Sequence, residues 1–253
     1  FAAQSIADQP LIVVSRSGTT TEALQVLRAA QSRDQLTVAV TCRPDAPMAE
    51  LADVALLLPE GDDDAIVMSR SFVSQASLLM RLGARLGFES FRADLDAMPA
   101  RWSETAPFIE RAYELAASGP SRLVVLGSGA AFGVANEAVL KATETGQVPA
   151  HAFHPLEFRH GPISVCEPGV IVAGVLGGAT EAAERRVIGE AEALGATPFV
   201  LGSRGPGAGL HPTARLPLAM HVLQALAFGI AVGRGLDLER PRHLEQVVVL
   251  EDA

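Results

Sequence analysis

Three stretches of this 253-residue chain carry side chains whose type and spacing could do chemistry. The first is SRSGTTTE, residues 15–22, where five hydroxyls (Ser15, Ser17, Thr19, Thr20, Thr21), one cation (Arg16) and Gly18 follow the apolar run Leu11–Val14. An alanine- and leucine-rich helical pattern comes next, so the stretch reads as a strand, a tight turn and a helix start. Backbone N–H groups at a helix start have no intrahelical partners and lie at the positive end of the helix dipole. Such a turn suits an anion, phosphate above all. No Lys follows a GxxxxG frame, which excludes a nucleotide P-loop. One N-cap needs one hydroxyl, and five point to a cradle for a small metabolite's phosphate, formed by Ser15, Arg16, Ser17, Gly18, Thr19 and Thr20.

The second stretch holds Lys141 and Glu144, three apart on a helical pattern and therefore on one face. A solvated ion pair is the plain alternative, but the flanking Ala138, Val139, Leu140 and Ala142 imply a mostly buried helix, where an idle carboxylate is expensive. The third is HAFHPLEFRHGPIS, residues 151–164. His151, His154, His160 and Glu157 raise the possibility of metal ligation. Pro155 and Pro162 interrupt any single helical face and no HExxH is present, so an acid–base role ranks above zinc. His160, between Arg159 and Gly161-Pro162, sits where a neutral imidazole could carry protons. The turn GSGAAFG, residues 127–133, is one residue too long for a dinucleotide fingerprint and lacks its acidic partner. No nicotinamide cofactor is expected. Gly127 and Ser128 are placed instead at a close backbone approach for a sugar or a neighbouring subunit.

The elements that must position these groups follow from hydrophobic periodicity. Strands are expected at 11–15, 36–41, 54–58, 123–126, 148–153, 170–175 and 197–201. Helices are expected at 20–31, 66–86, 134–145, 181–194 and 219–234. This alternation implies parallel sheets covered by helices. Residues 87–120 read as a polar helical crossover with Trp102, Phe108 and Tyr113 on one buried face. Gly202–Gly209 reads as a mobile surface loop. LIVVSRSGTTTEAL and LVVLGSGAAFGVANEAVL share a strand–turn–helix order, which points to an internal duplication. The expected domains are 1–100 and 101–253.

Composition narrows the partners. The chain is 49% hydrophobic and 19% charged, with a net charge of -9. That balance argues against nucleic acid or an anionic membrane, so local dipoles must hold any phosphate. Cys42 and Cys166 stand far apart without a CxxC, which fits a reducing compartment and a cytoplasmic protein. No signal peptide opens the chain and no apolar run reaches about 18 residues uninterrupted. Phe1 begins in mid-pattern, so an N-terminal segment is expected to precede this numbering.

SRSGTTTE, KATE (141–144), EFRHGP (157–162) and ERPRHL (239–244) occur in the order seen in sugar isomerase (SIS) domain proteins, and the chain resembles that family over about residues 11–250. Members include the isomerase half of glucosamine-6-phosphate synthase, glucosamine-6-phosphate deaminases and fructosamine-6-phosphate deglycases. The resemblance implies two flavodoxin-like SIS subdomains with parallel sheets, working as a homodimer without a metal or organic cofactor. It implies phosphate binding at Ser15, Arg16, Ser17 and Thr20, with Arg16 standing where the synthase has glutamine. Glu144 would move the proton between C1 and C2 of an open-chain sugar, with Lys141 one turn before it. His160 would assist ring opening in the neighbouring subunit's site, and Ser69 would contact the sugar.

Gln246 stands where the synthase carries a lysine, so imine chemistry through that lysine is not expected. Nor is glutaminase activity. The expected function is an aldose–ketose isomerase or amino-sugar-phosphate deaminase acting on a hexose 6-phosphate. The alternatives are a fructosamine-6-phosphate deglycase and a non-catalytic sugar-phosphate-binding regulator.

Overall fold

A computed structural model of the chain describes residues 9–245; Gln246 lies outside them. The chain forms two compact units. One runs to Leu79 and is rejoined at His243, and the other is Met80–Arg242. The division falls some twenty residues before the expected boundary at 100, because the stretch read as a crossover packs wholly within the second unit.

In the first unit the apolar runs become parallel strands β1 (Leu11–Val14), β2 (Thr37–Thr41) and β3 (Val54–Leu57), adjacent in the order β1-β2-β3. Helix α1 (Thr21–Gln31) turns Leu27 and Ala30 inward, and α2 (Pro47–Leu51) turns in Met48. Leu27 and Met48 close over Ala39 with Val13, Ala23 and Leu24 around them. The opposite sheet face, with Ile12, Val14 and Val54, stays 40–43% exposed. Helix α3 (Arg70–Arg85) then runs across the division between the units.

The second unit begins with the end of α3, α4 (Arg92–Ala97), a 3₁₀ stretch and α5 (Ala106–Ala117). The sheet follows: β4 (Arg122–Gly127), α6 (Ala130–Glu144), β5 (Ala150–Phe153), the short α7 (Pro155–Phe158), β6 (Val170–Val175), α8 (Glu181–Ala193) and β7 (Thr197–Leu201). All four strands are parallel, in the order β5-β4-β6-β7. β6 is buried at every position, as a strand covered on both faces must be. The chain then enters α9 (Leu216–Gly233), which packs on α5 and α6. The segment Thr213–Gly233 is long and apolar enough to cross a membrane, yet 72% of it is buried inside the protein, as befits a core helix.

Three expectations need correction. Trp102 and Tyr113 do not form a buried face: they are 37% and 49% exposed, and Ala112, Leu115 and Ala116 pack inward instead. Small residues win because α9 comes so close that a Cβ at Gly229 would lie 2.8 Å from both Ala116 Cβ and the Tyr113 ring. Second, the Gly202–Gly209 loop is pinned. The Gly207 N–H donates to Glu104 Oε2 at 2.9 Å, the Ser203 N–H and hydroxyl donate to Glu181, and the Arg215 guanidinium donates to the Gly202 carbonyl. Gly202, Gly205 and Gly207 serve close packing.

Third, the duplication aligns differently from the sequence pairing of β1 with β4. After β4 the chain adds β5 on one side and then crosses to β6 on the other, whereas β1, β2 and β3 continue in one direction. The run β1–α1–β2 therefore corresponds to β6–α8–β7. The local strand–turn–helix pattern is the same in both pairings; only the side on which the next strand pairs separates them.

Candidate functional site

The turn after β1 is built on Gly18. Its φ of 64° and the neighbouring chain exclude a side chain, since a Cβ there would lie 2.6 Å from Ala46 Cβ and 3.0 Å from Thr41 Oγ1. The hydroxyls do not serve as an ordinary cap: Thr20, at the N-cap of α1, makes no side-chain cap bond. They bond across the turn instead. Ser15 Oγ and Thr20 Oγ1 are 3.2 Å apart, Ser15 Oγ accepts from the Gly18 N–H at 3.2 Å, and Thr19 Oγ1 donates to Ser17 Oγ at 3.1 Å. Ser17 and Thr19 line a cavity of about 230 Å³ with Arg16 and with Arg43 and Asp45 from the loop after β2.

Sequence reading missed two residues here, Asp63 and Arg43; the first holds Arg16. Arg16 is 6% exposed, and its guanidinium is turned toward Asp63 Oδ1 at 3.2 Å and the Ala65 carbonyl. It braces the turn from within. Asp63 also accepts the Ser71 N–H through Oδ2 at 3.3 Å, so one carboxylate ties the turn to the start of α3, next to Ser69. Arg43 is the second. Paired with Asp62 and half exposed, it brings a cation to the cavity rim. The three-aspartate run Asp62–Asp64 carried no local signal of these long-range bonds.

In the second unit, α6 places Lys141 and Glu144 as their spacing requires. Lys141 is 2% exposed, and its Nζ donates to Glu144 Oε2 at 2.8 Å. A third member joins them: Glu137, 8% exposed, with Oε1 3.3 Å from the same Nζ. Burial pushes the Glu137 carboxyl up to about 7 against the pull of Lys141, and the Glu144 charge adds to the rise. A carboxyl near neutrality beside an ion pair can hold or release a proton at working pH. Its signal was present, an acidic residue four before the lysine.

His160 is exposed, in the turn after α7, with its backbone N–H donated to the Glu157 carbonyl at 2.9 Å. His154 stacks on Phe132 with ring centroids 4.2 Å apart. Among the described residues no group of three or more His, Cys, Asp or Glu is placed to hold a metal ion.

The structure does not bring Gly127 and Ser128 to Glu144. They lie at opposite ends of the 15-residue helix α6, about 20 Å apart at 1.5 Å per residue. Gly127 is buried, and a Cβ there would lie 2.5 Å from the Ala131 carbonyl, so its part is to admit the first turn of α6. Ser128 Oγ donates to Glu184 Oε1 at 2.7 Å.

The parallel α/β units have the fold of SIS proteins, and residues 3–85 match the family model described as the SIS domain. The resemblance to SIS domain proteins is borne out. Glucosamine-6-phosphate deaminase from Thermotoga maritima superposes with a TM-score of 0.84 at 28% identity, over 98% of this chain and 79% of that one. Tagatose-6-phosphate ketose/aldose isomerase from Escherichia coli shares the fold, with a TM-score of 0.77 at 19% identity over 96% of this chain and 72% of that one. Among curated proteins, glutamine–fructose-6-phosphate aminotransferase (isomerizing) from Symbiobacterium thermophilum is 31% identical over 95% of this chain and 44% of its own length. The chain thus spans less than half the length of the curated relatives it matches.

Proposed function

We propose that this chain is a phosphosugar-processing enzyme: an aldose–ketose isomerase or amino-sugar-phosphate deaminase acting on a hexose 6-phosphate. The observation that carries the reading is the Glu137–Lys141–Glu144 cluster, in which Glu137 and Lys141 are buried and Glu144 is partly exposed. A carboxylate fixed on a rigid helix can take a proton from one carbon of an open-chain sugar and return it to the next, provided the substrate is held in place. Lys141 sets the orientation of Glu144, and Glu137 near neutrality tunes the charge that Lys141 shares. The hydroxyls and the helix start at Ser15–Thr20, with Arg43 at the rim, suit the phosphate end. His160, exposed on its turn, would open the sugar ring in the site of a second copy, and Ser69 would contact the sugar. The reading requires no metal or organic cofactor and places the protein in the cytoplasm. The similarity to the Thermotoga protein named a glucosamine-6-phosphate deaminase, matched over 79% of its own length, supports amino-sugar chemistry.

The test is incubation with fructose 6-phosphate in deuterated water. Solvent deuterium should enter at C1 or C2, and Glu144→Gln should reduce the exchange at least a thousandfold while sugar-phosphate binding survives. Undiminished exchange in that variant removes Glu144 from the reaction, and binding without exchange by the wild-type protein leaves only a sugar-phosphate sensor. Release of ammonia from glucosamine 6-phosphate separates deaminase from isomerase.

A further inference from the structure

The corrected duplication points to a second site. Because β6–α8–β7 corresponds to β1–α1–β2, the turn after β6 occupies the place that the hydroxyl turn occupies in the first unit. It too opens on a cavity, of about 80 Å³, at the carboxyl ends of β4, β6 and β7, where Ser128, Gly177, Glu184, Gly202, Pro212 and Arg215 meet. That is where the strand order reverses between β4 and β6, a place where open parallel sheets commonly bind ligands.

The chemistry of this second turn is inverted. In the first unit hydroxyls surround the strand end. In the second, glycines replace them and two carboxylates take the donors that an anion would need. Glu184 Oε1 accepts from Ser128 Oγ at 2.7 Å and from Thr180 Oγ1 at 2.9 Å, while Glu181 Oε1 accepts from Ser203 Oγ at 2.8 Å and from Arg185. A phosphate here would meet carboxylate oxygens.

Two residues that line this cavity each carry a buried polar atom with no hydrogen-bond partner among the described residues: Glu184 Oε2 and Arg215 Nε. Glu184 is 1% exposed and Arg215 7%. Leaving such groups unpaired is costly, so they signal a missing counterpart. The counterpart must donate to a carboxylate and accept from a guanidinium, which one hydroxyl group, or a pair on adjacent carbons, does without net charge.

We propose that this cavity is a second small-molecule site, selective for an uncharged polyhydroxylated ligand such as a short polyol or the edge of an unphosphorylated sugar. Its volume corresponds to about five to eight water molecules, enough for a four-carbon polyol. Glu184 accepts from one hydroxyl, Arg215 donates to the same or the next, and the Pro212 ring and the Ala130–Ala131 turn flank the carbon chain. The site lies an α6 length away from Glu144, so it does not share the candidate catalytic centre of its own copy.

The test is binding of erythritol and of D-glucose to the full chain, read by calorimetry and by ligand-observed NMR, with and without saturating fructose 6-phosphate or inorganic phosphate. At least one of the two should bind at millimolar concentration and should not be displaced by either phosphate compound. Glu184→Gln should weaken binding at least tenfold. Because Glu184 is buried and the variant can lose stability, Ala130→Phe provides a second arm. Ala130 is exposed at the rim, and the substitution should block binding at an unchanged melting temperature. The proposal is overturned if neither compound binds the wild-type protein, if phosphate displaces them, or if Ala130→Phe binds as the wild type does.

Discussion

Asp63 is the residue on which the hydroxyl turn after β1 leans, and its loss should be felt out of proportion to its size. Its carboxylate is 13% exposed against a 5% exposed Arg16 side chain. Deleting one partner of a buried pair leaves the other charge uncompensated, at a cost of about 3 kcal/mol or more. Asp63→Ala should therefore lower stability by that amount and weaken sugar-phosphate binding, whereas Asp63→Asn should retain part of both; chemical denaturation and calorimetry measure the two. Glu137 makes a pH prediction. Folding raises its carboxyl from an ordinary 4.5 to about 7, so between those values the folded protein holds a proton that the unfolded chain has released. Stability attributable to this group is complete below about 4.5, falls as pH rises through the window, and levels off above about 7, for a total of about 3 kcal/mol at most. Glu137→Gln should flatten that limb of the stability–pH curve. An unchanged slope would mean that Glu137 is ionised throughout.

At the scale of elements, two glycines in turns before helices make a matched pair. Gly18 combines a φ of 64° with a 2.6 Å approach to Ala46, whereas Gly129 has a φ of 57° and open space around it. Gly129→Ala should cost only a backbone term, about 1–3 kcal/mol at its φ of 57° and ψ of -128°, whereas Gly18→Ala should add about 1–3 kcal/mol of overpacking to its own backbone term, with loss of phosphate affinity. Thermal unfolding of both variants checks the difference. The same contrast marks what could be read from sequence. The strand and helix at 11–31, the Lys141–Glu144 contact and the buried strand at 170–175 followed from period and spacing, because local geometry alone decides them. Asp63 holding Arg16, Glu104 pinning the 202–209 loop and the true partner of β1 in the duplication did not follow, because each depends on which distant segment folds alongside. The glycine-rich loop was misread for a related reason: glycine marks flexibility and close packing alike, and only the neighbours distinguish them. Trp102 was misread in the opposite sense. It lies at the margin with its ring 4.8 Å from that of His221, while alanines fill the tight helix contact.

For the whole molecule, the placement of His160 has a consequence that can be counted. If its imidazole completes the site of a second copy, a dimer with two-fold symmetry holds two equivalent sites, each combining Glu144 of one copy with His160 of the other. Glu144→Gln and His160→Ala are then each inactive as pure proteins, yet a hybrid dimer concentrates both defects in one site and leaves the other whole. Random mixing makes half of the dimers hybrid with one intact site of two, so exchange activity should recover to about one quarter of the wild-type level. If His160 instead serves its own copy, every site in the hybrid carries one defect and no activity returns. The recovered fraction, measured after the two purified variants are mixed and allowed to exchange subunits, therefore decides where this histidine acts. A parallel measurement of mass in solution establishes that subunit exchange between dimers is possible at all, since a strictly monomeric 26.4 kDa species has no partner to complement.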